Sequence, residues 1–117
     1  MIEWLTRREV WLYLPVLDFR KQMDGLIQIV AGEMGKKPND GAVYVFRNRT
    51  GDKLKLVMWD RNGFWMGYKR LETGRFDFPR DEAGEVRLNW EQMYLLVSGL
   101  PMRQLKSLSK EKVTAFF

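Results

Sequence analysis

Between Arg47 and Arg80 the chain carries nine basic side chains against four acidic ones, Asp52, Asp60, Glu72 and Asp77. That excess of five equals the net charge of the whole 117-residue chain, because residues 1–46 and 81–117 each balance to zero. Six aromatic rings (Trp59, Phe64, Trp65, Tyr68, Phe76, Phe78) are interleaved with these charges. Lys and Arg neutralise phosphates, and rings stack on bases or fill hot spots on protein surfaces. A localised positive field of this kind suits a polyanion or an acidic protein surface. The same residues would also serve simply to solubilise strand faces and edges. The candidate nucleic-acid contacts are Arg47, Arg49, Lys53, Lys55, Trp59, Trp65, Lys69, Arg70 and Arg75.

Other chemistries find little support. The chain has no Cys and no His, so disulfides, thiolate metal sites and the commonest general base are excluded. The carboxylates show no spacing that demands a metal. Asp18 and Asp24, six apart, share a helical face poorly, and Asp81, Glu82 and Glu85 read as a solvated loop. Ser98, Ser107 and Ser109 have no base partner of the usual kind, and no Gly-rich phosphate loop precedes a helix. No catalytic residue, metal or cofactor is expected. No apolar run approaches the roughly 18 residues of a membrane span, and residues 1–10 mix both signs of charge without an apolar signal core. A cytoplasmic protein is the expectation.

The elements that must position these side chains follow from periodicity. With 117 residues and 45% hydrophobic content, one domain with its own core is expected, over residues 1–101, followed by a basic tail at 102–117. Trp11–Val16 reads as a short strand. Asp18 reads as the N-cap of a long helix whose stripe is Phe19, Met23, Leu26, Ile27, Val30 and Met34. Strands are predicted at Ala42–Arg47, Lys53–Trp59 and Phe64–Leu71, around Phe76 and Phe78, and at Glu85–Leu88. Asn89 and Gln92 form a capping-box signature ahead of a second helix at residues 90–99. The fold class is α+β: an antiparallel sheet of about five strands packed against one long N-terminal helix, with a shorter C-terminal helix.

The central hairpin fixes which side chains share a face. A two-residue Asn62-Gly63 turn would mix charged and apolar residues on both faces. A three-residue loop, Arg61-Asn62-Gly63, pairs Asp60 with Phe64 and divides them. Leu54, Leu56, Met58, Phe64, Met66 and Tyr68 then face the long helix. Lys53, Lys55, Trp59, Trp65 and Lys69 form a basic-aromatic surface, with Gly67 leaving open backbone between rings and lysines. Whether Trp59 and Trp65 meet a ligand or pack under other elements stays open.

The strings DFRKQMDGL (Asp18–Leu26), VYVFRNRTGDKLKLVMWDRNGFWMGYKRLETGRFDFP (Val43–Pro79) and NWEQMYLLVSGL (Asn89–Leu100) resemble the small TnpB, or Orf-two-like, accessory family of IS-sixty-six-type insertion sequences. The likeness spans about residues 10–100. Gln22 stands where that family often has glycine, and Phe78 where tryptophan commonly precedes the proline. The resemblance implies a non-catalytic protein that assists transposition beside a separate, larger transposase, and it supplies no catalytic residues. DNA, at the element's ends or its target, becomes the expected anion. Docking on the element-encoded transposase is the alternative, and a cryptic metal-dependent nuclease ranks last.

Overall fold

The computed structural model describes residues 8–102. Strands β1 (Val10–Tyr13), β2 (Val43–Arg47), β3 (Lys53–Asp60), β4 (Gly63–Arg70) and β5 (Glu85–Leu88) form one sheet in the order β4-β3-β2-β1-β5. Helices α1 (Met23–Gly32) and α2 (Trp90–Val97) complete the domain.

The sheet is mixed, which corrects the antiparallel expectation. β1 and β2 run parallel, with Trp11 opposite Tyr44, while the other three pairings are antiparallel. The reason is connectivity. α1 lies between β1 and β2 in sequence, and a helical crossover returns the chain in the direction it left. β2 is central and buried along its whole length. Its alternating side chains feed two cores. Val43 and Val45 join Leu12, Leu54, Met58, Met93 and Leu96 on the α2 side. Tyr44 and Phe46 join Leu26, Ile29, Val30 and Val57 on the α1 side. The result is three layers, with one helix on each face of the sheet, rather than one long helix on one face.

α1 has ten residues and starts five after the expected N-cap. The segment before it is held by other bonds. Asp18 accepts the Arg20 backbone amide at 2.9 Å in a local turn, and Leu17 bridges to Asn48 beside the sheet. The carbonyls of Phe19 and Lys21, which a helix would need for its i+4 amides, are taken by the Lys55 ammonium at 2.8 and 2.9 Å. A contact more than thirty residues away in sequence therefore decides where α1 begins. Beyond its C-terminal end Gly35 adopts φ 64° and the Lys36 amide reaches back to the Val30 carbonyl at 3.0 Å.

At α2 the capping box is complete. The Asn89 side chain accepts from the Gln92 amide and the Gln92 side chain accepts from the Asn89 amide, both at 2.8 Å. β5 falls where the sequence placed it. Residues 76–78 are loop rather than strand, although Phe76 is buried. Met102, assigned above to the tail, still packs on the α2-side core, and its amide donates to the Asp77 carboxylate at 2.7 Å. The remainder of that tail lies outside the described residues.

The hairpin adopts neither predicted register. Its turn residues are Arg61 and Asn62, and Asp60 pairs with Gly63. Arg61 takes a left-handed φ of 58°, a conformation usually left to Gly or Asn. The pairs become Trp59 with Phe64, Met58 with Trp65, Leu56 with Gly67 and Lys55 with Tyr68. A one-residue slip exchanges the faces of a strand, so the two tryptophans lie on opposite sides of the sheet. Gly67 is not an open patch: a Cβ there would sit 3.2 Å from the Leu56 side chain.

Candidate nucleic-acid interface

The structure disperses the nine candidate residues and gathers three of them. Arg47 is 8% exposed. Its guanidinium donates to the carbonyls of Leu14 (2.6 Å), Pro79 (3.2 Å) and Asp81 (3.1 Å) and lies 5.5 Å from the Phe78 ring. Burial pulls its pKa down. It ties β2 to the 79–81 loop through three carbonyls. Lys69 donates to the Val97 carbonyl at the last turn of α2 at 2.6 Å, where a cation suits the helix dipole. Arg70 is held by Glu72, with Nε 2.8 Å from the carboxylate. Arg75 is exposed, its stem packed over Gly51. Trp59 is half-buried, edge-on to Phe64 with centroids 5.0 Å apart. Trp65 is 57% exposed on the α2 side, where its indole donates to Asp60 at 3.3 Å.

Arg49, Lys53 and Lys55 converge on the α1 side. With Arg20, Asn48 and Tyr68 they line a groove of about 730 Å³ between the 16–22 segment and the outer end of the β3–β4 hairpin. Four cations face one carboxylate, Asp18. That carboxylate is already engaged, because the Arg20 guanidinium grips both its oxygens, the shortest contact being 2.6 Å. The same contact holds the Asp18 pKa down to about 2.

Lys55 forms the floor. The residue is 5% exposed, and no described carboxylate pairs with it. Two of its ammonium N–H groups go to the Phe19 and Lys21 carbonyls, and the third has no described protein partner. The Phe19 and Tyr68 rings lie 5.0 and 5.8 Å from Nζ. Burial lowers the Lys55 pKa, as expected for an ammonium removed from water without a counter-ion.

The rim carrying Arg49 is rigidly built. The Asn48 side chain accepts the Gly51 and Lys53 amides at 3.0 and 3.1 Å and donates to Thr50 and Asp52. Asp52 turns its carboxylate inward to Asn48 and Thr50, and these bonds lower its pKa. Arg49 and Lys53 line the groove and have no described hydrogen-bond or ion-pair partner.

Sequence reasoning missed Arg20, Asn48 and Tyr68 as members of this site. The signal for Asn48 was present, since Asn-x-Thr-Gly-Asp is a string of turn formers with side chains that bond nearby backbone. Tyr68 was hidden by the register error, which put it on the opposite face from Lys55. Among the described residues, no group of three or more acidic side chains is placed to hold a metal. No helix among them is long and apolar enough to cross a membrane.

The architecture is thus a five-stranded mixed sheet with one helix on each face, carrying a concave site lined by four cations. The chain belongs to the family described as IS66 Orf2 like protein, which matches residues 8–107 and so extends past the stretch on which the likeness was read. That membership points to an accessory role in the transposition of an insertion sequence. Two similar proteins come from Sinorhizobium fredii (strain NBRC 101917 / NGR234). The uncharacterized protein y4jC is 36% identical over 90 residues, covering 77% of each chain. The uncharacterized protein y4hO is 34% identical over 94 residues, covering 80% of this chain and 82% of its own. No solved structure matches.

Proposed function

We propose that this protein assists transposition by binding DNA through the groove formed by Arg20, Arg49, Lys53, Lys55 and Tyr68, without a catalytic step of its own. In this reading it works in the cytoplasm beside the element's DNA. The observation that carries the reading is the Lys55 ammonium, buried at the groove floor with no described counter-ion and flanked by Arg49 and Lys53. A buried cation is costly unless an anion reaches it, and phosphate oxygens are strong acceptors for charge-assisted bonds. The groove replaces the wider basic-aromatic hairpin surface expected from sequence, because Lys69, Arg70 and Arg47 are engaged by protein groups.

An Arg49→Glu/Lys53→Glu variant tests this reading. Both side chains lack described partners, so the fold should be retained, as read by circular dichroism and thermal unfolding. Its affinity for DNA should fall at least a hundredfold. Wild-type affinity in the folded variant would refute the reading.

A second reading, docking on the separate transposase, is favoured by one observation. Trp65 is exposed on edge strand β4, on the face opposite the groove, and exposed tryptophans are common interface hot spots. Co-purification of the transposase from nuclease-treated lysate, lost on Trp65→Ala, would support it. Retention by the Ala variant would remove it. Because the two sites lie on opposite faces, both activities fit one molecule.

A further inference from the structure

We infer that the groove is a seat for an unpaired nucleotide, so that the protein holds single-stranded DNA in preference to duplex. The inference rests on the DNA-binding reading above and names the form of DNA the site takes. Lys55 is 5% exposed and its ammonium is held by the Phe19 and Lys21 carbonyls, in a groove also lined by residues 17–20 and Asn48. Duplex DNA is stiff over this length, and its phosphates are fixed on a convex surface. They can meet Arg49 and Lys53 at the rim but cannot follow into the recess. A splayed nucleotide can enter, and a phosphate oxygen can accept the uncommitted third N–H of Lys55.

The rings then fall where a base needs them. Tyr68 is 55% exposed and its ring lies 5.8 Å from Lys55 Nζ. A phosphate held on Nζ therefore leaves the attached base within reach of the Tyr68 face. Single-strand binders combine these parts: a cationic track for the backbone and an aromatic platform that accepts any base. The groove, about 730 Å³, falls within the roughly 300–1,000 Å³ of sites that hold small organic ligands. Tyr68 thus presents an exposed ring beside the buried Lys55 ammonium on the groove wall. On the opposite face the equivalent position opposite Leu56 is Gly67, filled by the Leu56 side chain.

The test is fluorescence anisotropy at fixed salt, with a labelled deoxythymidine oligomer, a duplex of the same length and a uridine oligomer. Wild-type protein should bind the deoxythymidine strand at least tenfold more tightly than the duplex. Tyr68→Ala, at an exposed position, should weaken single-strand binding about tenfold, by a larger factor than it weakens duplex binding. Lys55→Met should likewise weaken the single strand more than the duplex. Because it removes two bonds to the 19–21 segment, Tyr68→Ala carries the decision if that variant unfolds. Equal or tighter duplex binding, or a Tyr68→Ala variant unchanged on the single strand, overturns the inference and leaves the DNA-binding reading standing. Tighter binding of the uridine oligomer overturns the assignment to DNA. Failure to bind any of the three overturns both.

Discussion

Replacing Arg47 with Met should damage the fold and spare the groove. Leu14 is buried, so its carbonyl, now 2.6 Å from Arg47 Nε, would be left without a partner at a cost of about 1–3 kcal/mol. The carbonyls of Pro79 and Asp81 lie nearer solvent, and water can replace the guanidinium there. Loss of the contact with the Phe78 ring adds about 0.5–1 kcal/mol. Removing a buried cation, whose depressed pKa reports its desolvation, returns part of this. The net expectation is a loss of about 2–3 kcal/mol. In a domain of this size that lowers Tm by about 8–15 °C. Urea unfolding followed by tryptophan fluorescence should show a lower midpoint with an unchanged slope. At a temperature where both proteins are folded, DNA affinity should agree within twofold. Stability within about 0.5 kcal/mol of wild type, an effect no larger than ordinary surface substitutions give, or a tenfold loss of DNA binding in a stable variant, would refute the structural role.

Two further outcomes follow from local geometry. Arg61→Gly should stabilise the protein by about 0.5 kcal/mol, because relief of the left-handed φ outweighs the added freedom of glycine in the unfolded chain; a lower urea midpoint would contradict this. The Asp18 carboxyl should titrate near pH 2 by NMR, held down by the Arg20 guanidinium. Its folded pKa lies below the ordinary carboxylate value of about 3.9. Its contribution to stability is therefore complete above that value and disappears as pH falls through about 2. Asp18→Asn should flatten the stability profile between those limits, and a midpoint above pH 3.5 in the wild type would count against the Asp18–Arg20 clamp.

Local features of this fold were readable and non-local ones were not. The capping box at Asn89 and Gln92 and the β5 span are encoded within a few residues, and both appear in the structure. The segment holding the excess charge was also readable, and it supplies Arg49, Lys53 and Lys55 to the groove. The start of α1 was not readable, because Lys55 recruits the Phe19 and Lys21 carbonyls across the fold. The hairpin register was missed for a related reason. Asn62-Gly63 is a strong turn signal, but the turn falls at Arg61-Asn62. That slip sends Leu54, Leu56 and Met58 to the α2-side core and Lys55 and Val57 toward α1. The sequence reading assumed one buried face, whereas the sheet is covered on both, so apolar alternation alone could not select a register. Arg47 and Lys69 show the matching limit for function: a count of charges does not say which are taken by carbonyls.

In the proposed function Arg49, Lys53 and Lys55 together form an anion site for DNA. Its most direct test is the salt dependence of binding to a deoxythymidine oligomer. Neutralisation of three phosphates by these cations predicts a slope of log K against log salt of about −2. The Arg49→Glu/Lys53→Glu variant should bind at least a hundredfold more weakly, with a slope no steeper than about −1. A salt-independent wild type, or a folded double variant with the wild-type slope and affinity, would contradict the claim.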